Sequence, residues 1–485
     1  MVVSVLSDEA TRLMAEGGDA RLTLDPKTGL NRYYSAPRPS RALAYASSTA
    51  NDISPQASAR VEAVLAETGP APAAAAYAAR LEALRGRIRA AYGVADDVAV
   101  VFAPSGTDLE YVALACVHGR APGSTHALLL GADEVGSGCI HSAHGLYFAD
   151  ETALGHGVAP GRPVPGLGGV HVELVDIPVR DRMARARPST YIAERMLASI
   201  AAARAASRHS LVHIVHGSKT GLILPSLADV DRLIAAHGGA MTLVVDACQA
   251  RITAAAVGDY LARESIVFVT GSKFMGGPPF SGFALVPRAL AERAPPLAEG
   301  LGTIFRRAEW PARWPGAEAL PDSANPGLLL RLEAAIFELE RFQAVPPAEV
   351  ERIILAFHAA VRAEIVEKTA ARRVAPYAPG HVEDADTHPI EMRTLSTLDL
   401  SATGAGFEDA QAWHKAMALA GVRVGQPVKC ARLRDGRWGA TLRIGLTMWQ
   451  IADRSGLGEE ALAASFAADM ARIRAALAAA QLGGQ

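Results

Sequence analysis

From about residue 61 onward the apolar positions of the chain follow two alternating rhythms. Stretches such as "ASARVEAVLAET" and "PAAAAYAARLEALRGRIRAAYG" repeat them at three- and four-residue intervals, the spacing of a helix with one buried face. Between helical stretches lie short apolar runs that end in turns: "DVAVVFAP", "THALLLGA", "GVHVELVDI", "HSLVHIVHG", "MTLVVDA", "SIVFVTG" and "SGFALVP". Strands flanked by helices predict an α/β domain with a largely parallel sheet covered on both faces. A long helical pattern, "NPGLLLRLEAAIFELERFQAV", leads into a second region. There helices are expected over "AEVERIILAFHAAVRAEIVEKT" and "FEDAQAWHKAMALAG", and strands over "IEMRTLSTLDL" and "ATLRIGLTM". The Ala-rich "EEALAASFAADMARIRAALAAAQ" reads as an amphipathic closing helix. Residues 1–60 are rich in Pro, Ser and Asn with little periodicity, the pattern of an extended arm or lid. The expected division is an arm over 1–60, a large domain over 61–340 and a smaller α+β domain over 341–485.

Composition narrows the function classes. The chain has 485 residues, half of them apolar, and a formal net charge of −2. No basic run appears, which argues against nucleic acid or an anionic membrane surface as partner and leaves a small molecule. No window offers eighteen uninterrupted apolar residues, and the N-terminal residues lack a basic segment followed by a long apolar one. A soluble, cytoplasmic protein is expected. Four scattered cysteines, none in a C-x-x-C pair, fit a reducing compartment.

In an open α/β sheet the ligand site lies at the carboxyl ends of the strands. Four apolar runs end in polar clusters. After "DVAVVFAP" come Ser105, Gly106 and Thr107 ahead of a helical pattern, positions suited either to capping the helix or to holding a phosphate on free amides and hydroxyls. After "LVHIV" come His216, Ser218 and Lys219 in "HGSKTG", which lacks the G-x-x-x-x-G-K-[ST] order of a nucleotide P-loop. After "MTLVV" come Asp246 and, three residues on, Gln249. After "SIVFVTG" come Ser272 and Lys273. An anion cradle, a carboxylate and a lysine at one sheet edge match the needs of pyridoxal 5′-phosphate. An opposite charge about 4 Å away is worth roughly 4 kcal/mol at an effective dielectric near 20, or up to roughly three pKa units. An aspartate is thus able to keep a ring nitrogen protonated.

The order "SGTDLE", "HGSKTG", "VVDACQA", "VTGSKFMGGP" and "ATLRIGL" resembles fold-type I pyridoxal-phosphate enzymes, in particular the class V aminotransferase and cysteine desulfurase group. The resemblance covers roughly residues 60–450. It implies an aspartate aminotransferase-like large domain with a mostly parallel seven-stranded sheet and a smaller α+β C-terminal domain. It also implies roles. Lys273 would form the Schiff base and later shuttle a proton; Asp246 would pair with the pyridinium nitrogen; Gln249 and Ser218 would approach the 3′-oxygen. The phosphate would rest on Gly106, Thr107, Thr270 and Ser272. Arg443 would grip the substrate carboxylate, for which a guanidinium fork is suited. A homodimer is implied, with Ser323 or Asn325 reaching the neighbouring phosphate.

Two positions depart from the group. The place of the His or aromatic residue that covers the cofactor ring falls on Glu134 or Val135, so Glu134 is read as a local acid or base beside the cofactor. The nucleophilic cysteine of a desulfurase has a displaced counterpart, Cys430, in a basic loop able to lower its pKa. The triple Cys139, His141, His144 lacks a fourth ligand for a metal site, and His213 and His216 read as packing groups. The leading expectation is a pyridoxal-phosphate enzyme acting on an amino acid or amine, with aminotransfer ranked first. Cysteine desulfurase or C–S lyase activity through Cys430 is the alternative, and a non-catalytic cofactor-binding protein the third. The side chains that select the substrate are expected on loops, including "NRYYSAP" and "ASSTAND" of the arm.

Overall fold

The computed structural model describes residues 6–374 and 390–483. In the N-terminal segment β1 (Leu43–Tyr45) is a short strand. The main sheet is built from β2 (Ala99–Ala103), β3 (Thr125–Leu130), β4 (Val172–Ile177), β5 (His209–His216), β6 (Ile223–Leu224), β7 (Met241–Asp246), β8 (Ile266–Thr270) and β9 (Gly282–Val286). Their order is β2-β9-β8-β7-β5-β3-β4, with the two-residue β6 attached to β5 off this path. Strands β4, β3, β5, β7 and β8 are parallel. Strand β9 runs antiparallel to both β8 and β2, so β2 points the same way as the central strands. All seven apolar runs form strands. The pair that makes β6 is too short to carry a periodicity.

Alternation along each strand feeds two cores, one on each face of the sheet. Val100 and Phe102 of β2 join one cluster, Val101 and Ala103 the other; Val267 and Val269 of β8 are likewise separated from Ile266 and Phe268. Every residue of the central strand β5 is buried, its three histidines and Ser210 included.

Toward the C-terminus β10 (Arg372–Arg373), β11 (Leu395–Asp399) and β13 (Thr441–Gly445) form an antiparallel sheet, while β12 (Val422–Val424) pairs in parallel with β1. The helices Phe407–Leu419 and Glu459–Leu482 match the expected stretches. The helix Pro347–Val361 passes into a π-helical turn at Arg362–Val366. The strand expected over "IEMRTLSTLDL" is shorter than its pattern. Residues Ile390–Thr394 wind into a 3₁₀ turn, held by the Thr394 hydroxyl donating to the Glu391 carbonyl, before β11 begins at Leu395.

The N-terminal segment differs from the expected arm. It contains the helix Asp8–Met14, capped by Ser7 and opened by two acidic residues, a start signal present in "SDEATRLM". It is also bound into the body of the protein. Arg331, fully buried on the helix Pro326–Gln343, donates to the carbonyls of Met14, Glu16 and Gly17 and to that of Phe280.

Candidate active site

The carboxyl ends of β2, β3, β5, β7 and β8 lie at one edge of the sheet, and a cavity of about 640 Å³ opens there. That size suits a cofactor-sized ligand with a small substrate. Lys273, Asp246, Gly106, Thr107, Thr270, Ser272 and Arg443 all line it. Residues separated by more than 300 positions are therefore brought to one space.

Lys273 sits in the turn that follows β8, and that turn is fixed from several sides. Asn51 donates through Nδ2 to the carbonyls of Ser272 and Lys273 at 3.0 and 2.7 Å. Phe274 N donates to the Gln249 carbonyl, and Met448 N to the Phe274 carbonyl. Gly276 adopts φ +88°, and a Cβ there would lie 2.5 Å from the Trp449 ring. Asp246 ends β7 and accepts from Cys248 N at 2.9 Å, an Asx turn that aims its carboxylate out of the strand end.

The cluster after β2 has the form of an anion cradle. A Cβ on Gly106 would come within 2.6 Å of Thr270 Cγ2, so only glycine leaves this wall open. The hydroxyls of Thr107 and Ser272 make no hydrogen bond among the described residues and are available to donate. Thr270 Oγ1 instead donates to the Cys248 carbonyl at 2.6 Å, and Ser105 Oγ to Asp108 Oδ2. Asp108 precedes the helix Leu109–Val117, and burial pushes its carboxyl up to about 7.

Arg443 on β13 is buried and has no carboxylate partner among the described residues. Its guanidinium donates to the carbonyls of Gln426, Ser48 and Lys219 and to Thr49 Oγ1. Burial lowers its pKa to about 10, yet it stays cationic at neutral pH. Arg251 and Arg331 are also buried without carboxylates, but neither lines the cavity. Arg443 thus presents an unbalanced charge to a ligand.

Six sequence candidates, Gln249, Ser218, Glu134, Cys430, Ser323 and Asn325, lie off the cavity wall. Gln249 Oε1 accepts from Arg251 Nη1 at 2.8 Å. Ser218 Oγ donates to Glu134 Oε2 at 2.7 Å. Glu134 itself is buried; it also accepts from Arg180 Nε at 2.7 Å and from the backbone N–H and hydroxyl of Thr220. Burial raises its pKa, but Arg180 and the hydroxyls outweigh that and hold the carboxyl below its ordinary value. Its acceptor sites are consumed by the protein, which leaves nothing for a cofactor. Cys430 is buried too, and burial pushes its thiol up to about 12, opposite to the direction expected of a basic loop. Asn325 caps its own helix through Oδ1 and donates to the Gly17 carbonyl, while Ser323 is exposed. His213 bonds the buried Glu110 at 2.6 Å. Among the described residues no cluster of His, Cys, Asp and Glu could hold a metal, Cys139, His141 and His144 included.

The cavity also holds residues that sequence reasoning passed over. Tyr33, Ser48 and Thr49 come from the two N-terminal stretches expected to supply pocket side chains, but Arg21, Phe280, Cys248 and Lys429 carried no signal. Arg21 lies over the rings of Phe280 and Phe148, at 4.7 and 5.2 Å, and is gripped by Asp19. A contact made across some 260 residues leaves no trace in local periodicity.

No family model matches the sequence, and no curated protein matches it. Solved structures do. The protein is similar to ureidoglycine–glyoxylate aminotransferase from Bacillus subtilis, with a TM-score of 0.53 at 12% identity over 90% of this chain and 93% of that one. A NifS-like protein gives 0.54 at 12% over 90% and 99%. Cysteine desulfurase CsdA from Escherichia coli gives 0.55 at 14% over 90% and 94%. The chain has the fold shared by these aminotransferases and desulfurases. The α/β fold with a mostly parallel sheet that the resemblance implied is borne out; the sheet has eight strands rather than seven, the eighth being the two-residue β6. Among the described residues, no helix is long and apolar enough to cross a membrane.

Proposed function

We propose that the protein is a pyridoxal-phosphate-dependent enzyme acting on an amino acid or amine, an aminotransferase working as a cytoplasmic homodimer. Its parts would be the N-terminal segment 1–60, a cofactor domain over 61–340 and a smaller domain over 341–485. The observation that carries the reading is the convergence of Lys273, Asp246, the Gly106 cradle and an Arg443 without a counter-charge on one cavity. The donor set fits the cofactor. Lys273 would hold it through Nζ, Asp246 would face its ring nitrogen, and Thr107 and Ser272 would donate to its phosphate beside the open N-terminus of the helix Leu109–Val117. When bound, pyridoxal phosphate supplies an electron sink for bond cleavage at the substrate Cα. Arg443 would orient the substrate carboxylate, and Lys273, released by the incoming amine, would take the Cα proton as general base.

Desulfurase chemistry through Cys430 is the weaker reading, because a buried thiol held near 12 has almost no thiolate at neutral pH. The test is the visible absorption of purified protein loaded with pyridoxal phosphate, followed by borohydride reduction and peptide mapping. A yellow protein labelled at Lys273, with turnover abolished in Lys273→Ala, is expected. Label on Lys219 would move the covalent role. Protein that takes up no cofactor would remove the assignment, and sulfide release from cysteine that is lost in Cys430→Ala would restore the desulfurase.

A further inference from the structure

We infer that the substrate carries a second carboxylate, beyond the one assigned to Arg443, and that Lys219 and Lys429 receive it. The inference rests on the reading of the cavity given above and names its substrate class: an acidic amino acid. The argument is a charge balance. Five cationic side chains line the cavity, Arg21, Lys219, Lys273, Lys429 and Arg443, against two carboxylates, Asp133 and Asp246. Arg21 is already matched by Asp19, whose carboxylate meets its Nε and Nη2 at 2.9 and 2.6 Å. Lys273 and Asp246 serve the cofactor, and Arg443 takes the first carboxylate. Among the lining side chains Lys219 and Lys429 then remain, against Asp133 alone.

Neither forms an ion pair with a carboxylate among the described residues. Lys219 Nζ donates to the Asp133 carbonyl at 3.0 Å, which leaves two of the three ammonium donors free. Its own carbonyl accepts from Arg443 Nη1 at 3.1 Å, so the two cations are held side by side in the backbone frame. The crowding has a cost: burial, and then Arg443, lower the Lys219 pKa to about 8. Lys429 reaches the same cavity from the C-terminal region, with Nζ 5.5 Å from the ring centroid of Phe407, another lining residue. Cations grouped on a concave wall in excess of its carboxylates are stabilised by an anionic ligand and disfavour a neutral or cationic one.

The probes are succinate and glutarate against propionate and butyrate, unreactive acids that lack the amine, titrated calorimetrically into protein loaded with pyridoxal phosphate. Loading is checked first by absorbance, so failure of the cofactor reading is seen before any titration. The dicarboxylates are expected to bind at least tenfold more tightly. That ratio should fall at least threefold in Lys429→Met, an exposed position whose replacement leaves the core intact, or in Lys219→Met. A ratio below threefold in the loaded wild-type protein, or a ratio unchanged in both variants, would overturn the inference while leaving the cofactor assignment standing.

Discussion

Replacing Glu134 by glutamine separates two roles for this residue. Beside the cofactor it would be an acid or base, and its loss would change the pH dependence of turnover with little effect on folding. In the structure it is a clamp. Its carboxylate joins Arg180 to Ser218 and Thr220, and its carbonyl accepts from Lys219 N at 2.8 Å, so it fixes the loop that carries Lys219 against the turn that carries Asp133. Removing one partner of a buried ion pair costs about 3–5 kcal/mol because the other charge stays buried. Unfolding entropy near 2.1 cal/mol/K per residue gives about 1 kcal/mol/K for this chain, so Tm should fall by about 3–5 °C. The folded pKa lies below the unfolded one, so the contribution is complete above about pH 4.3 and disappears as pH falls through the folded value. The Tm gap between wild type and E134Q should therefore be constant from pH 6 to 8 and close in acid. Adding Arg180→Met to E134Q should cost less than the sum of the two single changes, since each removes the same pair. A Tm shift below 1 °C accompanied by a displaced pH–rate profile would refute the clamp.

Three further outcomes follow from other parts of the site. Gly106→Ala, whose methyl would meet Thr270 Cγ2, should weaken pyridoxal-phosphate binding at least tenfold in a fluorescence titration; unchanged affinity would remove Gly106 from the cradle. With its pKa near 8, Lys219 goes from about nine-tenths charged at pH 7 to about one-tenth at pH 9. Arg443, Lys273, Glu134 and Cys139 act on it across that range, and the dicarboxylate preference should decline over the same interval in wild type but not in Lys219→Met. Arg331→Met would leave the carbonyls of Met14, Glu16 and Phe280 without their side-chain donor and that of Gly17 with Asn325 alone, at about 1–3 kcal/mol for each one left buried and unpaired. Limited proteolysis should then cut the chain before residue 25, and resistance equal to wild type would show that the segment is held by other contacts.

Legibility in the sequence followed the range of the interactions. The main sheet could be read because each of its strands except the two-residue β6 carries its own evidence, a short apolar run closed by a turn. The strand-end chemistry could be read for the same reason, since Asp246, Ser272 and Lys273 each stand next to such a run. Side-chain direction was not legible. Gln249 and Glu134 occupy positions from which either a ligand or the protein is reachable, and the folded geometry decides the matter: Arg251, two residues on, takes the amide oxygen, and the distant Arg180 and Thr220 take the carboxylate. The Cys430 misreading is of the same kind. Basic neighbours in sequence suggested a lowered pKa, whereas burial dominates and raises it.

The N-terminal segment shows what such distant contacts do for the site. As a lid it would rest on the cavity and leave. Its bonds are instead those of a brace. β1 pairs with β12, Asp52 pairs with the buried Arg423, and Ser48 and Thr49 accept from Arg443, all on the C-terminal side. One residue from that salt bridge, Asn51 holds the carbonyls of Ser272 and Lys273 on the large-sheet side. Residues 43–52 thus fix the lysine and the arginine of the site relative to each other. Positioning reacting groups to within a fraction of an ångström is worth several kcal/mol of a barrier. Asn51→Ala removes both bonds to the lysine turn and leaves the strand pairing and the salt bridge in place. It should reduce kcat with a small change in Tm, and borohydride labelling of Lys273 should slow. A loss of Tm as large as that of E134Q would assign Asn51 to stability, and unchanged kcat would show that the lysine turn is held without it.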